Sequence, residues 1–376
     1  MTFHVMIIPT LGCQCNCKYC WGSESTKEMM DISVIDDIIT WLKDFRDDKV
    51  HFTFHGGEPL LAGYDFYAEA LEKLSKIDNL EGFSLQSNIW LLSDELIDLF
   101  LKYNVAVSTS IDGPEEINDY QRAEGYFKKT IGRYERAKEK GLNINFVLTV
   151  TQYSKDYSDE LYEFFKSHGM NLKIHAALPS LRGDNADPWA LDQEEHGKLL
   201  IDWLDKYLYD LDKFSVMDLD HIAKSTFRRR GTLCTFADCI GTTLAVGADG
   251  SIYPCYRFVG MDEYILGNVK ANPSFDKLKE SDAWAKLQEF REYVDENCAK
   301  CRYVKYCEGG CPYNAFLASK TPKAVDPQCK AYKMIFGEVS KRLNKEFAKN
   351  AFGGLNGPGV KKENEAFSIM DLMMKP

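Results

Sequence analysis

Cys13, Cys17 and Cys20, in the run GCQCNCKYC, stand at C-x3-C-x2-C spacing. Three thiolates can hold three irons of a 4Fe–4S cube and leave the fourth iron without a protein ligand. An open iron is a place for a small chelating molecule, not only a stop for electrons. Zinc on three thiolates is the other chemistry open to such a group. Cys15 lies inside the run and could replace Cys13 or Cys17 as a ligand. The remaining eight cysteines all fall between residues 234 and 329, with none between the two groups. That distribution fits metal sites in two separate regions.

These residues need elements to position them. Apolar β-type runs at 3–10, 50–55, 82–87, 105–110, 143–150 and 171–177 predict strands. Segments of helical period lie between them at 33–46, 65–77, 93–103, 128–140, 156–168 and 192–211. Ser33 is the expected N-cap of the first, ahead of Ile35, Ile38, Ile39, Leu42 and Phe45. Six βα units in series imply a parallel sheet with outer helices, two units short of a closed eight-stranded barrel. Chemistry in such folds sits on the loops after the strands. Cys13 to Cys20 follow the first strand, and Gly56-Gly57-Glu58-Pro59 follows the second. Asn88 follows the third, and Ser110, Asp112 and Gly113 follow the fourth. Glycines admit close backbone approach, and a carboxylate can accept from an ammonium group.

These motifs together resemble the radical S-adenosylmethionine (SAM) superfamily. The resemblance implies an α/β fold: a partial (β/α)6 TIM-like barrel over residues 1–215. It implies that Cys13, Cys17 and Cys20 hold a 4Fe–4S cluster whose open iron is chelated by SAM. One electron then cleaves SAM to methionine and a 5′-deoxyadenosyl radical, which abstracts a hydrogen atom. The same frame leaves Cys15 a free thiol pointing away from the cube. Gly56, Gly57, Glu58 and Pro59 would bind the SAM amino group, and Tyr19 would pack near the adenine. In the sulfatase-maturase branch, a serine and an arginine at the spacing of Ser110 and Arg122 bind the methionine carboxylate. Asn88 and Asp112 complete the expected cofactor contacts. The other reading of Arg122 is a surface ion pair with Glu124 or Asp119.

The second group resembles the seven-cysteine SPASM motif, which holds two auxiliary 4Fe–4S clusters. Cys239, Gly250 and Cys255 begin it, Cys298-x2-Cys301-x5-Cys307-x3-Cys311 follows, and Cys329 ends it. Cys234 supplies an eighth thiol. By resemblance to the sulfatase maturases, one cube takes Cys234, Cys239, Cys255 and Cys311, and the other Cys298, Cys301, Cys307 and Cys329. With the SAM-binding cluster this makes three 4Fe–4S clusters. A zinc ribbon on Cys298, Cys301, Cys307 and Cys311 would leave Cys234, Cys239, Cys255 and Cys329 unexplained. The expected organisation is the barrel, a bridging helix at 216–231, a SPASM domain at 232–349 ending in a helix from 329, and a tail at 350–376. A β-hairpin is expected in TTLAVGADGSIYP, turning at Gly247 to Gly250. The tail, with its Met-rich SIMDLMM, is expected to be flexible or surface-packed.

Members of this group modify peptides and proteins. In the sulfatase maturases an aspartate base follows the cysteine that corresponds to Cys255, whereas Tyr256 stands there in this chain, and His55 replaces a usual glutamine. A tyrosine with a pKa near 10 does not replace a carboxylate base. The leading expectation is therefore a peptide maturase forming a thioether or other side-chain cross-link. Formylglycine formation from Cys or Ser is the alternative, and a non-catalytic iron–sulfur electron carrier the third reading. Tyr256 is a candidate catalytic residue, and His55, Arg257 and His175 are candidate substrate contacts. Expected partners are a peptide or protein substrate and reduced flavodoxin or ferredoxin as electron donor. The cluster motif begins at residue 13, so no preceding leader-binding domain is expected.

Net charge is −11, which argues against a nucleic-acid surface, and Arg228-Arg229-Arg230 reads as a solvated helix end. Hydrophobic content of 45% with no apolar run near 20 residues argues against a membrane span. The N-terminal MTFHVMIIPT lacks a signal-peptide pattern, so the cytoplasm is expected, where thiols stay reduced.

Overall fold

The computed structural model describes residues 2–20, 28–45, 48–179, 187–353 and 366–375. The six predicted strands form as β1 (Thr2–Ile7), β2 (Lys49–Phe54), β3 (Leu80–Gln86), β4 (Val105–Ser110), β5 (Ile144–Val150) and β6 (Leu172–Ala176). Helices separate them, giving an α/β fold built on a barrel-like parallel sheet. Three strands follow in the cysteine-rich region: β7 (Thr243–Val246), β8 (Ser251–Tyr253) and β9 (Gly267–Asn268). Contacts divide the chain into two compact units, each discontinuous in sequence. One is Met1–Ile111, Asn118–Asn145 and Cys239–Glu289; the other is Asp112–Ile117, Phe146–Asp238 and Phe290–Pro376.

In the first unit the strands run in the order β4-β3-β2-β1-β7-β8-β9. Alternation along each strand sorts the residues. Val5, Ile7, Phe52, Phe54, Phe83, Leu85, Val105 and Val107 pack into a core with Ile38, Trp41, Tyr67, Leu71, Ile97 and Phe100 of the covering helices. Intervening positions such as His51, Thr53, Ser84, Gln86, Ser108 and Ser110 are polar and half-buried. The expected hairpin forms, with Ala245 opposite Tyr253 and Val246 opposite Ile252. Its first strand also pairs in parallel with β1, from His4–Thr243 to Ile7–Val246. A hairpin read as part of a separate domain thus extends the parallel sheet, because the open edge of β1 still has donors and acceptors to satisfy.

In the second unit β5 and β6 pair in parallel, with Phe146 opposite Leu172 and Thr149 opposite His175. Asp192 caps the helix Gln193–Asp210 by accepting from the N–H groups of Glu194 and Glu195. That helix and Met217–Arg228 pack against the long helix Cys329–Gly353. Arg228, Arg229 and Arg230 are exposed at a helix end, as read from sequence. Residues 354–365 of the expected tail lie outside the described residues. Ile369–Met374 is a helix with a Ser368–Asp371 capping box and buried Ile369 and Leu372. Lys375 anchors it by donating to the Tyr207 hydroxyl (2.6 Å) and the Phe214 carbonyl (3.0 Å).

Two local expectations change. The first helix is Ser33–Trp41, followed by a 3-10 turn Leu42–Phe45, and Ser33 is its first turn rather than its cap. Ile32 is the N-cap and has no side-chain capping bond, while the Asp31 carboxylate just before it accepts from the Ser33 N–H at 2.9 Å. The helix Asp282–Cys298 was not predicted, although Ala283, Leu287, Phe290 and Val294 are buried at helical spacing.

Candidate functional site

The loop after β1 and the loop after β2 are joined backbone to backbone. His55 N–H donates to the Ile7 carbonyl (3.0 Å), Gly57 N–H to Thr10 (3.0 Å) and Glu58 N–H to Gly12 (2.8 Å). A Cβ on Gly57 would lie 2.3 Å from the Gly12 oxygen and 2.4 Å from the Leu11 oxygen. The glycine is therefore required for contact with the chain's own cysteine loop, in addition to any ligand it faces. Thr10 Oγ1 fixes the approach by accepting from the Gly12 N–H at 2.9 Å.

Glu58 is 1% exposed. Its Oε1 accepts from Leu60 N–H (2.9 Å) and the Ser87 hydroxyl (2.7 Å), and its Oε2 from Asn88 N–H (2.8 Å). Burial pushes its pKa up to about 7 against the pull of these bonds. The carboxylate thus ties the β2 loop to the β3 loop, and Pro59 opens the turn it caps. A carboxylate has about four lone-pair sites, so three donors leave room on Oε2 for an ammonium group.

Asn88 continues the chain of contacts into the cysteine loop. Its Oδ1 accepts from Gln14 Nε2 (3.3 Å), and its Nδ2 contacts Cys15 Sγ (3.3 Å). Cys15 also donates its backbone N–H to Cys13 Sγ (3.4 Å). The hydrogen bond between the two thiols pulls the Cys13 pKa down and pushes the Cys15 pKa up. Cys15 thus sits on Asn88 and Cys13. Cys17 and Cys20 share a turn, Cys20 N–H donating to the Cys17 carbonyl at 3.0 Å.

Arg122 is 6% exposed. Its guanidinium lies 5.4 Å from the Tyr19 ring centroid and 5.0 Å from that of Tyr126, with Nη1 directed at Cys17 Sγ (3.9 Å). The Lys18 N–H donates to Gln121 O (2.9 Å), so the cysteine loop is anchored beside this arginine. Asp119 accepts from the Gly125 and Phe127 N–H groups and organises the turn after Arg122. Ser110, at the end of β4, accepts from Gln86 Nε2 at 3.1 Å. Asp112 and Gly113 belong to the second unit, where fully buried Asp112 accepts from Thr149 N–H (2.9 Å).

The three substrate-facing candidates of the first unit form one stack. The His55 and Tyr256 rings lie 3.8 Å apart, and Arg257 Nε donates to the Tyr256 hydroxyl at 3.2 Å. His55 Nδ1 accepts from Gly56 N–H at 2.8 Å, which fixes the ring. His175 is half-buried on β6 in the second unit.

In the second unit, Cys298, Cys301, Cys307 and Cys329 lie close enough to act on one another electrostatically. Burial, reinforced by these neighbours, pushes the Cys307 thiol up to about 12. Four thiols gathered in this way suit a multinuclear metal group, whose positive charge offsets the repulsion among the thiolates it binds. Among the described residues no set of three or more His, Cys, Asp or Glu is drawn in to single-ion distance. Lys333, one turn after Cys329, hydrogen-bonds that thiol and faces Cys301 and Cys298 as well. It was missed in the sequence, where i, i+4 spacing from a cysteine on a helix was the available signal.

The family description "Radical SAM superfamily" fits residues 7–165, and the SPASM "Iron-sulfur cluster-binding domain" fits residues 234–302. An uncharacterized protein of Methanothermobacter thermautotrophicus is 46% identical over 233 residues, 61% of this chain and 89% of that protein. The cysteine-type anaerobic sulfatase-maturating enzyme of Clostridium perfringens is 25% identical over 351 residues, 88% of this chain and 94% of that one. The serine-type enzyme of Bacteroides thetaiotaomicron is 26% identical, covering 90% and 89%. Among solved structures, anSMEcpe with bound AdoMet and the Cp18Cys peptide is similar in fold, with a TM-score of 0.80 at 24% identity over 93% of this chain and 100% of that one. SuiB of Streptococcus suis bound to S-adenosylmethionine follows at 0.63 and 17% identity, over 86% and 76%. Among the described residues no helix is long and apolar enough to cross a membrane.

Proposed function

The chain belongs to the radical SAM superfamily and carries a SPASM domain, and from that premise we propose that it is a peptide-modifying enzyme forming a thioether or other side-chain cross-link. The substrate is a ribosomally made peptide or protein, and the net change is a two-electron oxidation. Cys13, Cys17 and Cys20 hold the SAM-binding 4Fe–4S cluster. Cys234, Cys239, Cys255 and Cys311 hold one auxiliary cluster, and Cys298, Cys301, Cys307 and Cys329 the other. When bound, these groups supply hydrogen-atom abstraction from the substrate and a sink for the electron it leaves behind.

The chain's own residues bind and orient. Glu58 Oε2 has a lone pair for the SAM ammonium, beside the Gly56-Gly57 backbone. Arg122, held between Tyr19 and Tyr126, offers its guanidinium to a carboxylate, together with the Ser110 hydroxyl. Asn88 orients the cysteine loop through Gln14 and Cys15. Reduced flavodoxin or ferredoxin in the cytoplasm completes the reading as electron donor.

The stack of His55 on Tyr256 is the observation that carries the cross-linking choice. An aromatic pair bridged to Arg257 occupies the place where the sulfatase-maturase branch keeps an aspartate base. A phenol is a poor base near neutral pH, so the substrate radical is better trapped by a second substrate group, such as a thiol. The likeness to sulfatase-maturating enzymes over nearly the whole chain supports formylglycine formation as the second reading.

Mass spectrometry after anaerobic turnover with SAM and a reductant separates the two. The substrates are a small cysteine-containing peptide encoded beside the gene and a cysteine-type sulfatase peptide. Loss of two hydrogens from the first, with a thiol no longer open to alkylation, is the expected result. Exchange of thiol for aldehyde in the sulfatase peptide alone overturns it in favour of formylglycine formation.

A further inference from the structure

The second unit contains a buried carboxylate for which cofactor and substrate binding have no use. Asp326 is 0% exposed. Its Oδ2 accepts from the Cys311 N–H (3.0 Å), Asn314 Nδ2 (2.8 Å) and the Tyr332 hydroxyl (3.2 Å), and its Oδ1 from the Gln328 N–H (2.9 Å). Two backbone N–H groups and the Asn314 NH2 group can only donate, so these partners favour the ionised, acceptor-only carboxylate against burial, which pushes its pKa up. The main chain of the same residue is used as well. Its N–H donates to the Gly309 carbonyl (3.1 Å), and its carbonyl accepts from the Cys329 N–H (3.0 Å).

Asp326 therefore touches the last two cysteines of the pattern. Cys311 is held through the side chain, and Cys329 through the first turn of its helix. Cys307 is held through the glycine pair that follows it, since Gly310 N–H donates to the Cys307 carbonyl at 2.7 Å. A Cβ on Gly310 would lie 2.2 Å from the Asp326 Cβ, so the segment can pass this close only as glycine. Fixing the backbone of a ligand fixes where its sulfur points. A negative charge in a dry interior also acts over longer range than one at the surface.

We propose that Asp326 is the positioning residue that locks Cys311 to Cys329, and that its charge holds down the reduction potentials of both auxiliary clusters. This rests on the reading that these cysteines ligate clusters. Charge and hydrogen bonds around a cluster set its potential, so removing a nearby negative charge makes reduction easier.

The test uses the full chain with Cys13, Cys17 and Cys20 changed to Ala, so that only auxiliary signals remain. About eight irons per chain in this background establish the underlying reading, and about four or fewer refute that reading before Asp326 is touched. Reduction midpoints are then read by electron paramagnetic resonance during a redox titration. In Asp326→Asn, of nearly the same shape, both midpoints are expected to shift to more positive potential. Gln328→Met, a change at the same turn without a charge, is expected to shift neither. Midpoints that stay at their starting values in Asp326→Asn, or move equally in Gln328→Met, overturn the proposal. Where Asp326→Asn loses its iron, Asp326→Glu decides: recovered iron supports it, and continued loss overturns it.

Discussion

The His55 imidazole lies against the Tyr256 ring with 3.8 Å between centroids and 29° between planes. Two residues 201 positions apart in sequence thereby join the β2 loop to the turn after Cys255. An aromatic pair of this kind contributes about 1 kcal/mol beyond the area it buries. Tyr256→Phe keeps the stack and removes the hydroxyl that accepts from Arg257. It is expected to keep its fold and its 5′-deoxyadenosine formation while changing the yield of modified peptide. Tyr256→Ala is expected to lose both the stack and product. Denaturation midpoints, with 5′-deoxyadenosine and product measured in one turnover mixture, check the pair; equal product from all three proteins would remove Tyr256 from the site.

Gly57→Ala places a methyl group against the Leu11 and Gly12 carbonyls. The clash is with backbone, which cannot swing aside as a side chain does. The variant is expected to lose at least about 2 kcal/mol of stability, and about four irons per chain from the N-terminal site, while the cysteines of 234–329 keep theirs. Iron analysis beside chemical denaturation reads both; full iron at unchanged stability would contradict the close packing.

Arg122→Lys keeps the charge and discards the plane. The guanidinium sits between Tyr19 and Tyr126, a place that rewards a flat cation. SAM affinity, measured calorimetrically on the cluster-loaded protein, is expected to fall about tenfold or more, equivalent to about 1.4 kcal/mol. Unchanged affinity would return Arg122 to a purely structural role.

His196 gives a pH signature. It is buried, its Nδ1 donates to Gln328 Oε1 at 3.0 Å, and burial brings its pKa down to about 4. An unfolded histidine titrates near 6.5. Above that value both states are neutral and the contribution is complete. As pH falls from about 6.5 to about 4, the unfolded chain takes up the proton first, and stability drops by up to about 3 kcal/mol. His196→Gln is expected to flatten that difference between urea midpoints at pH 7.5 and pH 5; an identical slope in both proteins would rule it out.

Much of the plan was legible in one dimension. Period-2 runs separated by period-3.6 segments gave the six βα units, since alternation and helical spacing are local consequences of which face must be buried. The cysteine spacings gave both candidate metal regions, because ligands on one loop are set by short-range chain geometry. The turn at Gly247 to Gly250 was legible for the same reason. Other features were not. The pairing of β7 with β1 depends on an edge that only the assembled sheet leaves open. The partners of Glu58, the stack of His55 on Tyr256 and the grip of Asp326 on Cys311 and Cys329 join residues whose sequence positions carry no common period.

The sequence by itself determined the kind of chemistry: three thiols near one strand end, eight in a later region, and glycines and a carboxylate between strands. The tertiary structure decided how those groups are held. Glu58 is a buried tie between loops as well as a candidate ligand, Arg122 is clamped between two tyrosines, and Asp326 is a hub. The physical reason is that spacing along a chain is fixed by covalent geometry. Burial and hydrogen-bond partnership are instead fixed by which distant segments exclude water together.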